Sequence, residues 1–350
     1  MANNLFLLSI AVLCAAALNW GFRRLPARQW QICATVPSYD GTTGSWQGTN
    51  LTWYGIITAS ANLVALLVVF CLLGSIGVPR GAMLLLAGAL LACALPAARW
   101  VAWLVEGKQH TFTVGGAVFI GFITLPWIVV AHNLFSGDTV AGRLSVLAVL
   151  AAVSIGYAFG EGLGRLACIS YGCCYGKALQ DCGPLVRRLF ERCHFVFRGE
   201  TKKIAYASGL DGESVVPIQA VTALLYCVIG LLAAALFLQG LFAAAFLVAA
   251  LVTQAWRVAS EMWRADYRGG RRLSAYQIMG LLLLPYSMLL VWLFPATVHI
   301  DPNMATSLQS LWHPAVVLAL QIGWLAMFLF LGRSRVTGAH LSFYVHQDRI

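Results

Sequence analysis

Two stretches of this chain carry arginine and carboxylate side chains at helical spacing within apolar sequence. In the first, Glu161 and Arg165 stand four residues apart, so they share one helix face and can form an ion pair. In the second, three guanidinium groups and one carboxylate recur along one stripe: Arg257, Glu261, Arg264 and Arg268. Guanidinium groups bind phosphate through paired donors of fixed geometry. The stripe therefore favours a phosphate-bearing ligand, although arginines that only snorkel and anchor helix ends give the same spacing.

A segment rich in cysteine and glycine follows the first pair. Glycine at positions 172 and 176 permits positive φ and lets backbone N–H groups approach an anion closely. Cys168 lies three residues after Arg165, and a neighbouring guanidinium favours the thiolate form of a cysteine. Cys168 and Cys173 are therefore candidate nucleophiles. The alternative is that these adjacent thiols are ordinary packing residues.

The same region does not have the spacing of a known metal site. The residues that could be assembled into one are Cys168, Cys173, Cys174, Cys182, Cys193 and His194. Their separations, 168-x4-173 and 174-x7-182, match neither a C-x2-C pair nor a zinc knuckle. The sequence therefore predicts no metal and no cofactor. A cysteine-based redox or metal sensor would require the cysteines from 168 to 193 to converge.

The elements that must position these residues are long apolar helices. Hydrophobic residues make up 60% of the 350 residues and charged residues 10%, whereas a soluble domain carries about 25% charge. Apolar runs long enough to cross a hydrocarbon core of about 30 Å are predicted at about 5–22, 52–77, 82–104, 114–135, 144–168, 215–238, 241–263, 274–294 and 313–332. The sequence therefore predicts an all-α polytopic transmembrane bundle of about nine spans and excludes a soluble protein.

Lysine and arginine are distributed unevenly between the two ends of the predicted bundle. Nine spans place 21 of the 23 basic residues at one end, which includes the polar loop 171–214 and the C-terminal tail, and only Arg80 and Arg143 at the other. Without the four basic residues of the candidate site, the split is 17 against 2. The positive-inside rule predicts that the rich end is cytoplasmic. Because Arg23 and Arg24 follow the first span, it is expected to be a retained anchor.

Five short motifs occur along the chain: Trp53-Tyr54-Gly55, Gly115-Gly116, Gly164-Arg165-Leu166 with Gly172 and Gly176, Pro217-x-Gln219 and Arg257-x3-Glu261-x2-Arg264-x-Asp266. Their order resembles that of the bacterial prolipoprotein diacylglyceryl transferases, polytopic enzymes that move the diacylglyceryl group of phosphatidylglycerol onto a lipobox cysteine. The third motif is in register with the family's G-R-[LI]-G-N-F-x-N-G-E-x-x-G. The resemblance covers residues 52–294 as a seven-span core. It leaves 1–51 as an extra N-terminal span and loop and 295–350 as an extra C-terminal span and basic tail.

The chain departs from the family pattern where the family does its chemistry. The motif histidines and the amide and carboxyl side chains are replaced by Ile120, Cys168, Tyr171, Cys173 and Val216. Ile120 cannot transfer a proton. The predicted orientation also differs, because in the family the motif after the fifth span faces the outside, whereas the charge split places it in the cytoplasm.

The resemblance implies a membrane-embedded transferase of the bacterial cytoplasmic membrane, whose partners are a phosphatidylglycerol-like lipid and an unknown acceptor; no nucleic-acid partner is expected. Arg165, Arg257 and Arg264 would neutralise the headgroup and stabilise the glycerol phosphate that leaves, and Glu261 would hold the arginines. The expected catalytic residues are Arg165, Arg257, Cys168 and Cys173, and one of the two cysteines would activate the acceptor as a thiolate. The expected binding residues are Tyr54, Gly172, Gly176, Gln219, Glu261 and Arg264. The rival hypothesis is a phospholipid-binding or translocating protein without turnover.

Overall fold

The computed structural model describes residues 1–106, 114–135, 143–266, 273–295 and 300–350. Within these ranges, nine helices are long and apolar enough to cross a membrane. They are α1 (Ala2–Arg24), α2 (Trp53–Ser75), α3 (Arg80–Glu106), α4 (Val114–Phe135), α5 (Val146–Tyr171), α8 (Ile218–Phe237), α9 (Phe242–Ser260), α10 (Ala275–Leu293) and α12 (Pro314–Leu331). Three shorter helices are α6 (Pro184–Phe190), α7 (Lys203–Ser208) and α11 (Met304–Leu311). The prediction of a multi-pass helical membrane protein is confirmed, and the helix limits differ from the predicted ones by no more than three residues.

The loops lie at alternate ends of the bundle, as the tracing of nine spans predicts. Thr52 and Gly332 are joined at one end by a backbone hydrogen bond of 2.9 Å, and Ser75 and Asn303 at the other by one of 2.8 Å. We name the first the basic end; it consists of residues 25–52, 172–217, 264–266 and 332–350. The basic residues that the structure describes are therefore concentrated at one end, with Arg80 and Arg143 at the opposite end.

Helix α5 is the centre of the bundle. It is the most buried of the nine spans and packs against α2, α8 and α9. Small residues let the helices approach: a Cβ at Gly156 would lie 3.0 Å from the backbone oxygen of Ala65 on α2. Such close contacts are typical of helix pairs in membranes, where van der Waals packing drives association. The last turns of α5, which carry Glu161, Arg165 and Cys168, are thereby held in a fixed position.

Two small antiparallel sheets at the basic end were not predicted. The larger has the order β1-β2-β5, formed by β1 (Ile32–Asp40), β2 (Ser45–Thr52) and β5 (Arg333–Leu341); the smaller pairs β3 (Phe195–Val196) with β4 (Ser214–Val215). The motifs lie in residues 52–294, and strand β2 comes at the start of this region whereas β5 comes after its end. Leu51 of β2 is paired with Arg333 of β5. The larger sheet therefore brings the tail to the start of α2.

The polar loop after α5 is fastened to the bundle by Lys202. This lysine is fully buried, and its Nζ donates hydrogen bonds to the backbone oxygens of Ser170 at 2.8 Å and Leu25 at 3.0 Å. These oxygens belong to the ends of α5 and α1, where the last carbonyl groups of a helix lack intrahelical partners. Burial, reinforced by the charge of Arg28, lowers the pKa of Lys202 to about 8. The lysine therefore joins three segments at the basic end.

Candidate functional site

A cavity of about 840 Å³ lies among the spans around α5. Its lining is apolar along α3, α4 and α5, at Leu90, Phe122, Leu125, Leu150 and Val153, and polar towards the basic end. Because Leu150 and Arg165 both line it and lie 15 residues apart on α5, the cavity follows roughly 22 Å of helix at about 1.5 Å per residue. It is therefore an elongated cavity with an apolar part and a charged part, and its volume is typical of a small-molecule site.

Glu161 is the carboxylate at the centre of the charged part. Its Oε1 accepts hydrogen bonds from Arg165 on the same helix and from Arg257 Nη2 on α9, the latter at 3.4 Å. The three side chains retain only 11–13% of their exposure. The ion pair of Glu161 with Arg165 was predicted from their spacing and is confirmed. The second bond, across two helices, was not predicted.

Arg264 has a separate pair of carboxylate partners. Its Nε and Nη2 donate to Asp266 at 2.8 and 2.9 Å, and its Nη1 donates to Glu261 at 3.3 Å. Helix α9 ends at Ser260, and Arg264 has extended backbone, with φ −85° and ψ 148°. The prediction that one helical stripe continues from Arg257 through Arg264 is therefore wrong. The ion pair of Glu261 that the structure contains is with Arg264, and Arg268 lies outside the described residues.

The cavity lining carries more positive than negative side chains. Among the described residues, six cationic side chains line it, Arg165, Lys203, Arg257, Arg264, Arg333 and Arg335, against three carboxylates, Glu161, Glu261 and Asp266. The formal excess is three positive charges at neutral pH. Lys203 and the two tail arginines were not predicted site residues, since only the chain path through the loop and the larger sheet brings them to the cavity.

Two buried polar groups of the lining lack a hydrogen-bond partner among the described residues. They are Nε of Arg165 and the hydroxyl of Tyr157. Buried polar groups in folded proteins are nearly always hydrogen-bonded, so an unpaired one calls for a ligand or a water. The described contacts therefore leave one polar atom of Arg165 and one of Tyr157 unsatisfied in this lining.

The structure brings most of the predicted site residues together. Those that line the cavity are Tyr54, Arg165, Cys168, Cys173, Arg257, Glu261 and Arg264. Ile120, which the resemblance would align with the family's histidine, is not part of the lining, whereas its neighbour Gly121 is. Three other predicted binding residues, Gly172, Gly176 and Gln219, do not line the cavity.

These three residues hold the segment after α5 in place. Gly172 ends α5 in the left-handed conformation, with φ 69°, and its N–H donates to the Cys168 oxygen. A Cβ at Gly176 would lie 2.3 Å from the backbone oxygen of Val216. The Nε2 of Gln219 donates to the Cys173 oxygen at 3.0 Å. In the described structure the glycines and the glutamine therefore position the segment after α5, and the approach of the glycine backbone to an anion stays a prediction.

Three of the cysteines converge in the same lining. The sulfur atoms of Cys168, Cys173 and Cys174 all lie within 4.8 Å of one another. Cys182 and Cys193 do not belong to this group, and Cys193 is exposed. The fold therefore assembles a three-thiol cluster from the end of α5 and the turn that follows it.

Comparison with known proteins gives no family assignment. No protein-family model matches the chain, and a search of the curated proteins finds no match. The resemblance to the diacylglyceryl transferases therefore depends on the short motifs of the sequence alone.

Proposed function

We propose that the chain is a membrane-embedded transferase of the diacylglyceryl transferase type, which binds an anionic phospholipid and passes its diacylglyceryl group, or a related lipid group, to an acceptor. The observation that carries this proposal is the cavity, which combines an excess of three positive charges with an apolar part along α3, α4 and α5. An anionic phospholipid has the matching amphiphilic form. A small polar anion would leave the apolar part unused.

Recognition of the phosphate falls to the guanidinium groups around Glu161. Glu161 orients both Arg165 and Arg257 with one carboxylate, so that the two cations are only half neutralised. A guanidinium has five N–H donors, and the described contacts use few of them. The remaining donors, among them the unpaired Nε of Arg165, are the ones that we propose for contact with the phosphate. Tyr54, at the same end of the cavity, would position the glycerol part of the lipid.

The reaction is a displacement at the glycerol carbon that carries the phosphate. The acceptor gives up its proton and forms a bond to that carbon, while the bond from the carbon to the phosphate oxygen breaks. Glycerol phosphate departs with the electron pair, and Arg165, Arg257 and Arg264 stabilise its growing charge. Electrostatic stabilisation of this kind in a site shielded from water is often the largest contribution to catalysis.

The group that takes the acceptor's proton must differ from the family's histidine. Cys168 and Cys173 line the cavity beside the arginines and are the candidates for a thiolate base. Glu161 is the carboxylate closest to the same end of α5, but it is engaged by two arginines. Hydrogen bonds with Cys168 and Cys174, together with burial, raise the pKa of Cys173. Its thiol is therefore a weaker candidate for the base than Cys168, which lies three residues after Arg165.

The proposal includes an orientation and a location. The resemblance implies the bacterial cytoplasmic membrane, and the charge split favours an orientation with the basic end in the cytoplasm. Because the charged part of the cavity lies towards that end, the acceptor would be a soluble small molecule or a second lipid of the inner leaflet, and an exported lipoprotein is disfavoured.

A non-catalytic phospholipid-binding or translocating protein is the second candidate. It is favoured by Ile120, which replaces the family's histidine and cannot move a proton. The charged cavity would serve both functions, and only turnover distinguishes them.

The experiment uses the full-length protein in nanodiscs that contain headgroup-labelled phosphatidylglycerol. If the protein releases labelled glycerol phosphate when a candidate thiol or lipid acceptor is present, the transferase is supported. If it retains the lipid and releases nothing with thiol, amine and lipid acceptors, the binding protein is supported. Native mass spectrometry then compares lipid retention by Arg165→Ala, Arg257→Ala and Arg80→Ala. We expect each of the first two to bind about 10-fold or more weakly, because a charged hydrogen bond to phosphate contributes about 1.5–3 kcal/mol.

Arg80 is the matched control, since it is exposed at the opposite end of the bundle. Equal retention of the lipid in all three variants would overturn both candidate functions, because the arginines would then serve only to anchor helix ends.

A further inference from the structure

We propose that Cys168, Cys173 and Cys174 form a binding site for a thiophilic divalent metal ion of the zinc class. Their sulfur atoms lie within 4.8 Å of one another. In a tetrahedral zinc site with Zn–S bonds of about 2.3 Å, two sulfur atoms are separated by roughly 3.8 Å. Small side-chain rotations therefore suffice to close the three thiols around one ion. The inference shares Cys168 and Cys173 with the proposed transfer, but its test measures metal binding alone, so its failure is distinguishable from a failure of the transfer.

The backbone around the cysteines is built to bring the three thiols together. Cys174 has φ 56°, and it is the one non-glycine residue with positive φ in the described part of the chain. A residue other than glycine in this region carries a conformational cost, which persists where the surroundings enforce it and is frequent at functional sites. The neighbouring Gly172 also has positive φ, 69°. These two left-handed residues turn the chain back, so that thiols from consecutive positions reach the thiol on α5.

The turn is fixed from outside as well. The N–H of Cys173 donates to the Cys168 oxygen at 3.0 Å, and Gln219 on α8 donates to the Cys173 oxygen at 3.0 Å. The backbone that carries the three sulfur atoms is therefore restrained by α5 and α8 together. A site held in this way loses little conformational entropy when an ion binds.

The charges of the surroundings suit such a site. Three thiolates and one divalent ion have a net charge of −1. They would lie in a cavity whose lining has an excess of three positive charges, with Arg165 and Arg264 among the residues at the same end. Thiolate ligands select soft or borderline ions such as Zn²⁺ over Mg²⁺ or Ca²⁺, which prefer oxygen.

Three protein ligands leave one tetrahedral position unfilled. All three cysteines line the cavity, so that position would be open to it. Structural zinc sites have four protein ligands, whereas catalytic sites keep one position for water or a substrate group. The ion would therefore be accessible from the cavity, in the part that also contains the arginines.

The test measures metal binding by the full-length protein after reduction and removal of metal. Addition of Zn²⁺ should give about one bound ion per chain by elemental mass spectrometry and should protect three thiols from alkylation. Cobalt should give absorption bands of thiolate-to-metal charge transfer. Removal of a group that only supports a metal ligand already weakens metal binding by about 10–100-fold. Cys168→Ser and Cys174→Ser, which each remove a ligand, should therefore weaken Zn²⁺ binding by more than this.

Cys182→Ser and Cys193→Ser are the matched controls, because these cysteines belong to the same polar loop but not to the cluster. They should bind Zn²⁺ as the native protein does. The protection of three thiols is measured on the native chain, so it does not depend on the folding of a variant. No uptake of Zn²⁺ or Co²⁺ by the reduced native protein, or unchanged binding by Cys168→Ser, would overturn the proposal.

Discussion

Glu161 on α5 accepts a hydrogen bond from Arg257 on α9, 96 residues further along the chain, at 3.4 Å from Nη2. The same carboxylate oxygen accepts the hydrogen bond of Arg165. One buried negative charge therefore organises two cations and couples the two helices that contribute most of the candidate headgroup site. The arrangement keeps the arginines apart and oriented without neutralising both.

Replacement of Glu161 by glutamine keeps the size of the side chain and removes its charge. We expect a loss of about 3 kcal/mol in the free energy of unfolding, because Arg165 and Arg257 are then buried without a counter-charge. The measurement is the unfolding of the purified variant in detergent. Glu191→Gln, at an exposed position of the polar loop, should change the stability by no more than about 0.5 kcal/mol. Equal losses in the two variants would show that Glu161 does not organise the arginines.

The parts of this site that could be predicted are those that depend on local spacing. Apolar runs give the helices, and a separation of four residues gives the pair of Glu161 with Arg165. The approach of Arg257 to the same carboxylate depends on how α9 packs on α5, which no local pattern contains. For Arg264, the helical spacing was misleading because α9 ends at Ser260 and the following chain is extended.

The larger sheet and the thiol cluster were missed for related reasons. Strand β2 has polar residues on both sides of its pleat, and its partner β5 is almost the whole chain away, at Arg333–Leu341. The cysteine spacing matches no pattern of a short metal-binding loop. The observed cluster instead combines a helix end with a left-handed turn at Cys174, and this turn conformation is uncommon for a residue other than glycine.

Gly176 should not tolerate a methyl group. Its Cβ would lie 2.3 Å from the backbone oxygen of Val216, and backbone cannot move away as a side-chain end can. We expect Gly176→Ala to lower the free energy of unfolding by about 1–3 kcal/mol. The measurement is the thermal midpoint of unfolding of the purified variant. Gly183→Ala is the matched control, since nothing lies within 4 Å of its added Cβ. A midpoint of Gly176→Ala equal to that of Gly183→Ala would contradict the observed contact of Gly176 with the backbone of Val216.

Lys202 should make stability depend on pH in the alkaline range. Burial, reinforced by Arg28, lowers its pKa from 10.5 to about 8. Between these two values the unfolded chain binds more protons than the folded one, so the free energy of unfolding should rise with pH across this window. The full effect is at most about 3 kcal/mol, at about 1.4 kcal/mol per pKa unit.

The measurement is the thermal midpoint of unfolding at several pH values from about 7.5 to 10.5, compared with Lys202→Met. The variant should be less stable throughout, because it loses the hydrogen bonds to Ser170 and Leu25, and the contribution of Lys202 to the rise with pH should disappear. Lys177→Met, at an exposed lysine of the same loop, should keep the native pH dependence. If Lys202→Met also keeps it, the buried lysine is not the titrating group.

The orientation of the basic end can be tested through Cys193, an exposed cysteine of the polar loop. The charge split predicts a cytoplasmic location for this loop. A membrane-impermeant thiol reagent should therefore leave Cys193, and Cys182 in the same loop, unmodified in intact cells and should modify Cys193 after lysis. Peptide mass mapping locates the label.

Asp301→Cys supplies the matched position, because Asp301 is exposed at the opposite end of the bundle and the introduced thiol should react in intact cells. Labelling of Cys193 in intact cells to the extent seen after lysis would place the charged part of the cavity outside, where exported lipobox cysteines are found, and would make a lipoprotein the favoured acceptor.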